Sequence, residues 1–184
     1  MPRRSRSAHV LLLCALLASS PAFAVEITPE AMERYGNMAE ALLRDGASRK
    51  TVAGAGHVPA YANFLAQKFQ QAGFPEQDIK VIPYGETAAL VVRYRGDGSS
   101  NRKSILLSSH MDVVGADPGD WERHPFELQE DDTFYFGRGV LDNKFDVSLL
   151  TTLFVWLKAE DKKYPQAGKE TPMNEPESDE DEEE

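Results

Sequence analysis

The residues of this chain best suited to chemistry are His110, Asp112 and Asp142, carried by the segments His110-Met111-Asp112 and Gly137-Arg138-Gly139-Val140-Leu141-Asp142. A neutral imidazole and a carboxylate are donors that a divalent ion such as zinc accepts. Asp112 lies two residues after His110, so on an extended chain it projects to the same side. There it can take the second ring N–H, fixing the tautomer and raising the basicity of the ring. Asp142 stands where a helical pattern begins, and a carboxylate in that position can face outward and bridge two ions through its two oxygens. The same residues also suit plainer roles: His-x-Asp as a hydrogen-bonded surface pair, and a lone Asp before a helix as its cap.

The elements around them narrow the choice. Ser104 to Ser109 is a short apolar run bounded by turn residues, which predicts a buried central strand. His110 then falls at the strand's carboxyl end, where open α/β sheets place their ligand sites. Upstream, apolar residues at helical spacing predict an amphipathic helix over Pro29 to Asp45, stopped by Gly46. A Gly/Ala-rich link, Thr51 to Gly56, leads to a second helix with Tyr61, Phe64, Leu65 and Phe69 on one face, ended by Gly73. Ile79 to Pro83 and Ala88 to Tyr94 read as strands, and Arg95 to Lys103 as a polar turn. Downstream come a loop with Trp121 and Pro125, a hairpin from Phe126 to Leu128 and Thr133 to Phe136, and a turn at Gly137-Arg138-Gly139. A long helix opened by Asp142 follows, with Val147, Leu150, Leu153, Phe154 and Leu157 repeating along it.

Read together, His110-Met-Asp112-Val-Val, then Trp121 with Pro125-Phe126, then Tyr135-Phe-Gly137-Arg138-Gly139-Val-Leu-Asp142-Asn-Lys144, closely resemble the zinc-dependent exopeptidase and amidohydrolase family of acetylornithine deacetylase, succinyl-diaminopimelate desuccinylase, aminoacylase and carnosinase-type dipeptidases. The likeness runs from about Ile27 to Lys163, and Val58-Pro59, Phe64-Leu65 and Ala72-Gly73-Phe74 fit the segment before the family's first strand. The resemblance implies an α/β fold, an α/β/α sandwich around a mixed central sheet with its metal edge at strand carboxyl ends. It implies that His110 ligates one zinc, Asp142 bridges two, and Asp112 orients His110. The reaction it implies is attack of metal-activated water on an amide bond of a peptide or N-acyl amino acid. Asn143 and Asp146 fit the family pattern. Phe145 departs from it, since many relatives carry a small residue there, and is expected to affect packing at the helix start rather than the choice of metal. Lys144 is assigned no catalytic role. His57 and His124 lie outside the matching positions and read as loop histidines, and Trp121 as a loop anchor.

The family's next strand ends in a Glu-Glu pair, one glutamate a general base and the other a ligand. Here Gly168 to Ser178 has no apolar run that predicts a strand, so the expected site is half a site, with zinc bound weakly. That pattern suggests a truncated catalytic domain over residues 25–164. The alternative is an inactive binding module, self-associating through an unpaired sheet edge.

Composition excludes other classes. With 30 Asp+Glu against 20 Lys+Arg the formal charge is −10, which disfavours nucleic acid as a partner. Eight of those acidic residues fall between Glu175 and Glu184, in a stretch from residue 165 onward whose composition predicts disorder. Arg3, Arg4 and Arg6, the apolar run Val10 to Ala18 and Ala22-Phe23-Ala24 read as a cleaved leader over residues 1–24. Export to the periplasm or the extracellular space follows, with no membrane attachment afterwards. The single cysteine, Cys14, and His9 leave with the leader, which removes thiol catalysis, thiolate ligands and disulfides from the mature chain.

Overall fold

The computed structural model describes residues 27–96, 101 and 103–163. The expected leader, the stretch from residue 165 onward and part of the polar turn lie outside them. The chain divides into two units, Met1–Met32 and Glu33–Glu184. Of the first, the described part is the start of a helix, where Thr28 Oγ1 accepts from the Ala31 N–H at 3.2 Å as an N-cap does.

Three helices supply most of the second unit's core. Helix α1 is Pro29–Ser48, α2 is Val58–Ala72 and α3 is Phe145–Lys163. Their apolar stripes meet where Leu42 of α1, Tyr61 and Leu65 of α2 and Val147 of α3 are buried together. A second cluster joins Leu43 and Ala47 of α1 to Leu128. Helix α2 ends as expected. Gly73 adopts φ 93°, its N–H bonds the Gln70 carbonyl, and the Phe74 N–H bonds the Phe69 carbonyl, the Schellman arrangement that glycine makes accessible.

Strands β1 (Ile79–Tyr84) and β2 (Thr87–Val92) form an antiparallel hairpin in the register Ile79 with Val92 to Tyr84 with Thr87. Its base is held by buried Asp78, whose carboxylate accepts from Arg95 Nε at 2.8 and 3.0 Å. Phe69, Phe74, Tyr94 and Phe154 pack ring to ring and tie α2 and α3 to this region. Strands β3 (Gln129–Glu130) and β4 (Tyr135–Phe136) make the second expected hairpin, with its paired residues slightly displaced from the predicted span.

Three expectations are corrected. Helix α1 runs through Gly46 because that residue is buried inside the helix: a Cβ there would lie 2.6 Å from Tyr61 Oη. Gly46 is a packing glycine, not a stop. Second, Ser104 to Ser109 is in no strand, and Ile105 and Leu106 are 86% and 88% exposed. The described residues therefore hold mixed helix and strand, but in two separate two-stranded sheets rather than one central mixed sheet. The physical reason is that a buried central strand needs hydrogen-bonded neighbours and covered faces. Here β2 pairs with β1 alone, and between β2 and residues 106–112 lies a cleft of about 470 Å³ lined by Leu65, Phe69, Val147 and Phe154. Third, Asp142 does not begin α3. It sits in a wide turn, Val140–Lys144, with non-helical φ −122° and ψ 91°, and the regular helix starts at Phe145.

Candidate functional site

Two arms of chain make the site. The first is the segment His110 to Val113, fixed from the connector that follows α1: Thr51 Oγ1 donates to the Met111 carbonyl at 2.7 Å, and the Val113 N–H donates to the Thr51 carbonyl at 3.0 Å. Val52 and Val113 form an isolated parallel bridge beside them. The second arm is Gly137 to Lys144. The Arg138 N–H donates to the Pro125 carbonyl and the Lys144 N–H to the Gly139 carbonyl, which folds the turn carrying Asp142. Gly139 adopts φ 77° and lies so close to the first arm that a Cβ would collide with Val113 Cγ1, so two separate constraints require glycine there.

These arms bring together the three residues singled out in the sequence. His110 Nε2 lies 2.8 Å from Asp142 Oδ1, across 32 residues of chain. His110 Nδ1 lies 3.1 Å from the Asp112 carbonyl oxygen and 3.3 Å from Asp112 Oδ1. Both ring nitrogens thus face oxygens that only accept, an arrangement that the protonated imidazolium satisfies fully. Burial works against the charged ring, but the Asp142 hydrogen bond and the Asp112 carbonyl and carboxylate outweigh it and raise the His110 pKa above its ordinary 6.5. A cavity of about 230 Å³ opens beside the cluster, lined by His110, Asp112, Arg138, Leu141 and Asp142. His110 is half exposed and Asp142 largely so, which leaves both accessible to a ligand.

Among the described residues no group of three or more His, Cys, Asp or Glu side chains converges to hold a metal ion. His110 and Asp142 are a nitrogen and an oxygen donor of the kind zinc accepts, with Asp112 behind the ring, so the donor chemistry fits part of a site.

The remaining candidates fall elsewhere. His57 is exposed before α2, and His124 is exposed 3.7 Å from Glu127. Trp121 lies under the Arg138 guanidinium at 5.0 Å, anchoring the loop to the second arm. Phe145 is 46% exposed at the start of α3. Two residues passed over in the sequence are prominent. Thr51 is fully buried, and Lys144, which the sequence assigns no catalytic role, is 1% exposed. The Lys144 ammonium donates to the carbonyls of Gly46 at 2.8 Å and Arg49 at 3.3 Å and lies 4.5 Å from the Tyr61 ring centre. Burial, with Arg49 nearby, lowers its pKa to about 8. Their local sequence carries no signal for this, since every partner is distant along the chain.

The chain gathers histidine and aspartate at the mouth of a cavity, and comparison with known proteins finds relatives for the segments that carry them. Residues 106–167 match the model of the peptidase family M20/M25/M40. The chain is 38% identical over 82 residues to acetylornithine deacetylase of Dictyostelium discoideum, covering 43% of this chain and 18% of that one. It is 35% identical over 82 residues to a probable succinyl-diaminopimelate desuccinylase of Staphylococcus epidermidis, covering 44% and 20%. The fold is similar to that of human carnosine dipeptidase 1, with a TM-score of 0.53 and 19% identity over 72% of this chain and 30% of that chain. The chain spans about a fifth of the length of the curated relatives it matches.

Proposed function

We propose that this chain carries part of the catalytic centre of an exported, zinc-dependent hydrolase of amide bonds, acting on peptides or N-acyl amino acids. The observation that carries the reading is the 2.8 Å approach of His110 Nε2 to Asp142 Oδ1, two donors from separate arms presented to one cavity. The similarity to deacetylase and desuccinylase sequences supports an amide as the bond cleaved, and the basic, then apolar, then small-residue pattern of residues 1–24 supports export. An α/β/α sandwich is the fold in which Ser104 to Ser109 gains strand neighbours.

Within this reading His110 and Asp142 would hold the metal. Bound zinc supplies positive charge that polarises an amide carbonyl and makes water more acidic. Asp112 holds the imidazole by its Nδ1 face, so that Nε2 points at Asp142 and the cavity. For Nε2 to act as a donor to a cation it must first release the proton it shares with Asp142. Among the described residues the second oxygen of Asp142 has no hydrogen-bond partner, which leaves it available for a second ion or for a water. The test is titration calorimetry of the full chain with zinc. Uptake that falls at least about tenfold in His110→Ala supports the reading, and uptake unchanged in that variant overturns it.

A second reading, an interaction module without turnover, is favoured by one observation: among the described residues β2 pairs on one edge only while Ile105 and Leu106 stand exposed across the cleft. Concentration-dependent self-association in sedimentation, without hydrolysis of an N-acetyl amino acid, is its signature.

A further inference from the structure

Both arms of the site are tied to the same short piece of chain. The connector from Gly46 to Val52 holds the His110 arm through Thr51, by a side-chain bond to Met111 and a main-chain bond from Val113. It holds the Asp142 arm through Lys144, whose ammonium takes the carbonyls of Gly46 and Arg49. The connector is itself closed by a bond from the Thr51 N–H to the Arg49 carbonyl, so the carbonyl that receives Lys144 is joined directly to the residue that grips Met111. Besides the contact of His110 with Asp142, Gly139 brings the two arms together without the connector, against Val113.

We propose that Thr51 and Lys144 are positioning residues that act as the two ends of one brace and set the approach of His110 to Asp142. The proposal rests on the reading of these two residues as the site, and deepens it. The argument is one of geometry. His110 is one residue from the Thr51-bound carbonyl and Asp142 two residues from the buried ammonium, so little chain lies between each anchor and the group it places. Neither anchor faces the cavity: both are buried, and the residues that line that cavity include neither of them. Asp142 is largely exposed and among the described residues its side chain bonds His110 alone, so what fixes its position is the backbone turn that Lys144 pins. A main-chain anchor of this kind is insensitive to the chemistry in the cavity and sensitive to the hydroxyl and ammonium alone.

The test uses the full chain labelled with 15N at histidine, with no metal added, and reads the ring nitrogen signals of His110 at one fixed pH. Asp142→Ala supplies the reference for a ring that has lost its partner. Thr51→Val and Lys144→Met are expected to move the His110 signals toward that reference while still melting cooperatively, and Thr51→Ser, which keeps the hydroxyl, to leave them where the unaltered chain has them. Zinc affinity by calorimetry should fall about 10- to 100-fold in the first two variants and not in the third. Cooperative melting of Thr51→Val and Lys144→Met with unshifted His110 signals overturns the proposal. Should Lys144→Met fail to fold, the Thr51→Val and Thr51→Ser pair decides alone. Absence of zinc uptake by the unaltered chain counts against the metal reading and leaves the ring signals, read without metal, to decide the brace.

Discussion

The ammonium of Lys144 and the carbonyl of Gly46 are joined at 2.8 Å across 98 residues, linking the C-terminal turn of α1 to the turn that carries Asp142. A helix C-terminus presents carbonyls without intrahelical donors and a partial negative charge, and a buried lysine satisfies both. Its other surroundings are the Tyr61 ring and the Arg49 carbonyl, so the charge is partnered but removed from water.

That burial predicts a pH dependence of stability. In the folded chain Lys144 gives up its proton at about pH 8, against 10.5 for an ordinary lysine. Between those values the unfolded chain binds the extra proton, so stability is expected to rise with pH across this window, while below it the cost of burying the charge is fully present and does not change with pH. Melting temperatures of the chain and of Lys144→Met, measured from pH 7 to 10, check this: the chain should gain stability relative to the variant as pH rises above about 8, and parallel curves would refute it.

His110 predicts the opposite sign in a lower window. Its pKa is raised above 6.5, against burial, by Asp142 and Asp112, so the stability it contributes is fully present below pH 6.5 and is lost as pH rises through the folded value. The midpoint of the His110 ring-proton titration by NMR should lie above 6.5 and move down in Asp142→Ala. Zinc binding, which competes with that proton, should strengthen as pH rises through the same midpoint.

Breaking the ion pair at the base of the β1–β2 hairpin is expected to cost about 2 kcal/mol, because Arg95→Ala leaves the buried Asp78 carboxylate without its guanidinium. Partial exposure of Arg95 keeps the figure below that of a fully buried pair. Urea unfolding followed by circular dichroism measures it.

How far the sequence discloses this structure depends on how local each determinant is. Gly73 is legible because a left-handed cap needs only its own missing Cβ and the preceding turn. His110 and Asp142 are legible as a pair through the motifs that carry them, and the structure brings them together. The wide turn at Val140–Lys144 is not, since a carboxylate before an apolar repeat has the same pattern whether it caps the helix or precedes it by a turn. Thr51 and Lys144 are silent in sequence because all that distinguishes them is long-range. Ser104 to Ser109 shows the converse: an apolar run states a preference for burial, but burial also requires neighbours, and the described residues supply too few.

The exposure of that run gives a direct test. Leu106→Ala should change stability by less than about 0.5 kcal/mol, as a surface substitution does. Leu65→Ala, at a position 2% exposed in the helical core, should cost about 2–5 kcal/mol. A loss of the second size at Leu106, measured by the same denaturant titration, would mean that this run is buried in solution, in the chain itself or in an assembly of it.

Gly46 and Gly36 lie on the same helix and separate packing from propensity. Replacing an exposed helical glycine by alanine stabilises by roughly 0.5–1 kcal/mol, and at Gly36, where a Cβ meets nothing within 4 Å, that gain is expected. At Gly46 the same methyl would lie 2.6 Å from Tyr61 Oη and 3.3 Å from its Cζ. The Tyr61 ring is fully buried, with Arg49 and Lys144 over it and Phe64 alongside, so it has no free direction in which to yield. Overpacking of this kind costs about 1–3 kcal/mol, enough to reverse the sign. Because the Gly46 carbonyl also receives Lys144, Gly46→Ala should weaken zinc uptake as well as lower the melting temperature, whereas Gly36→Ala should raise the melting temperature and leave zinc uptake unchanged.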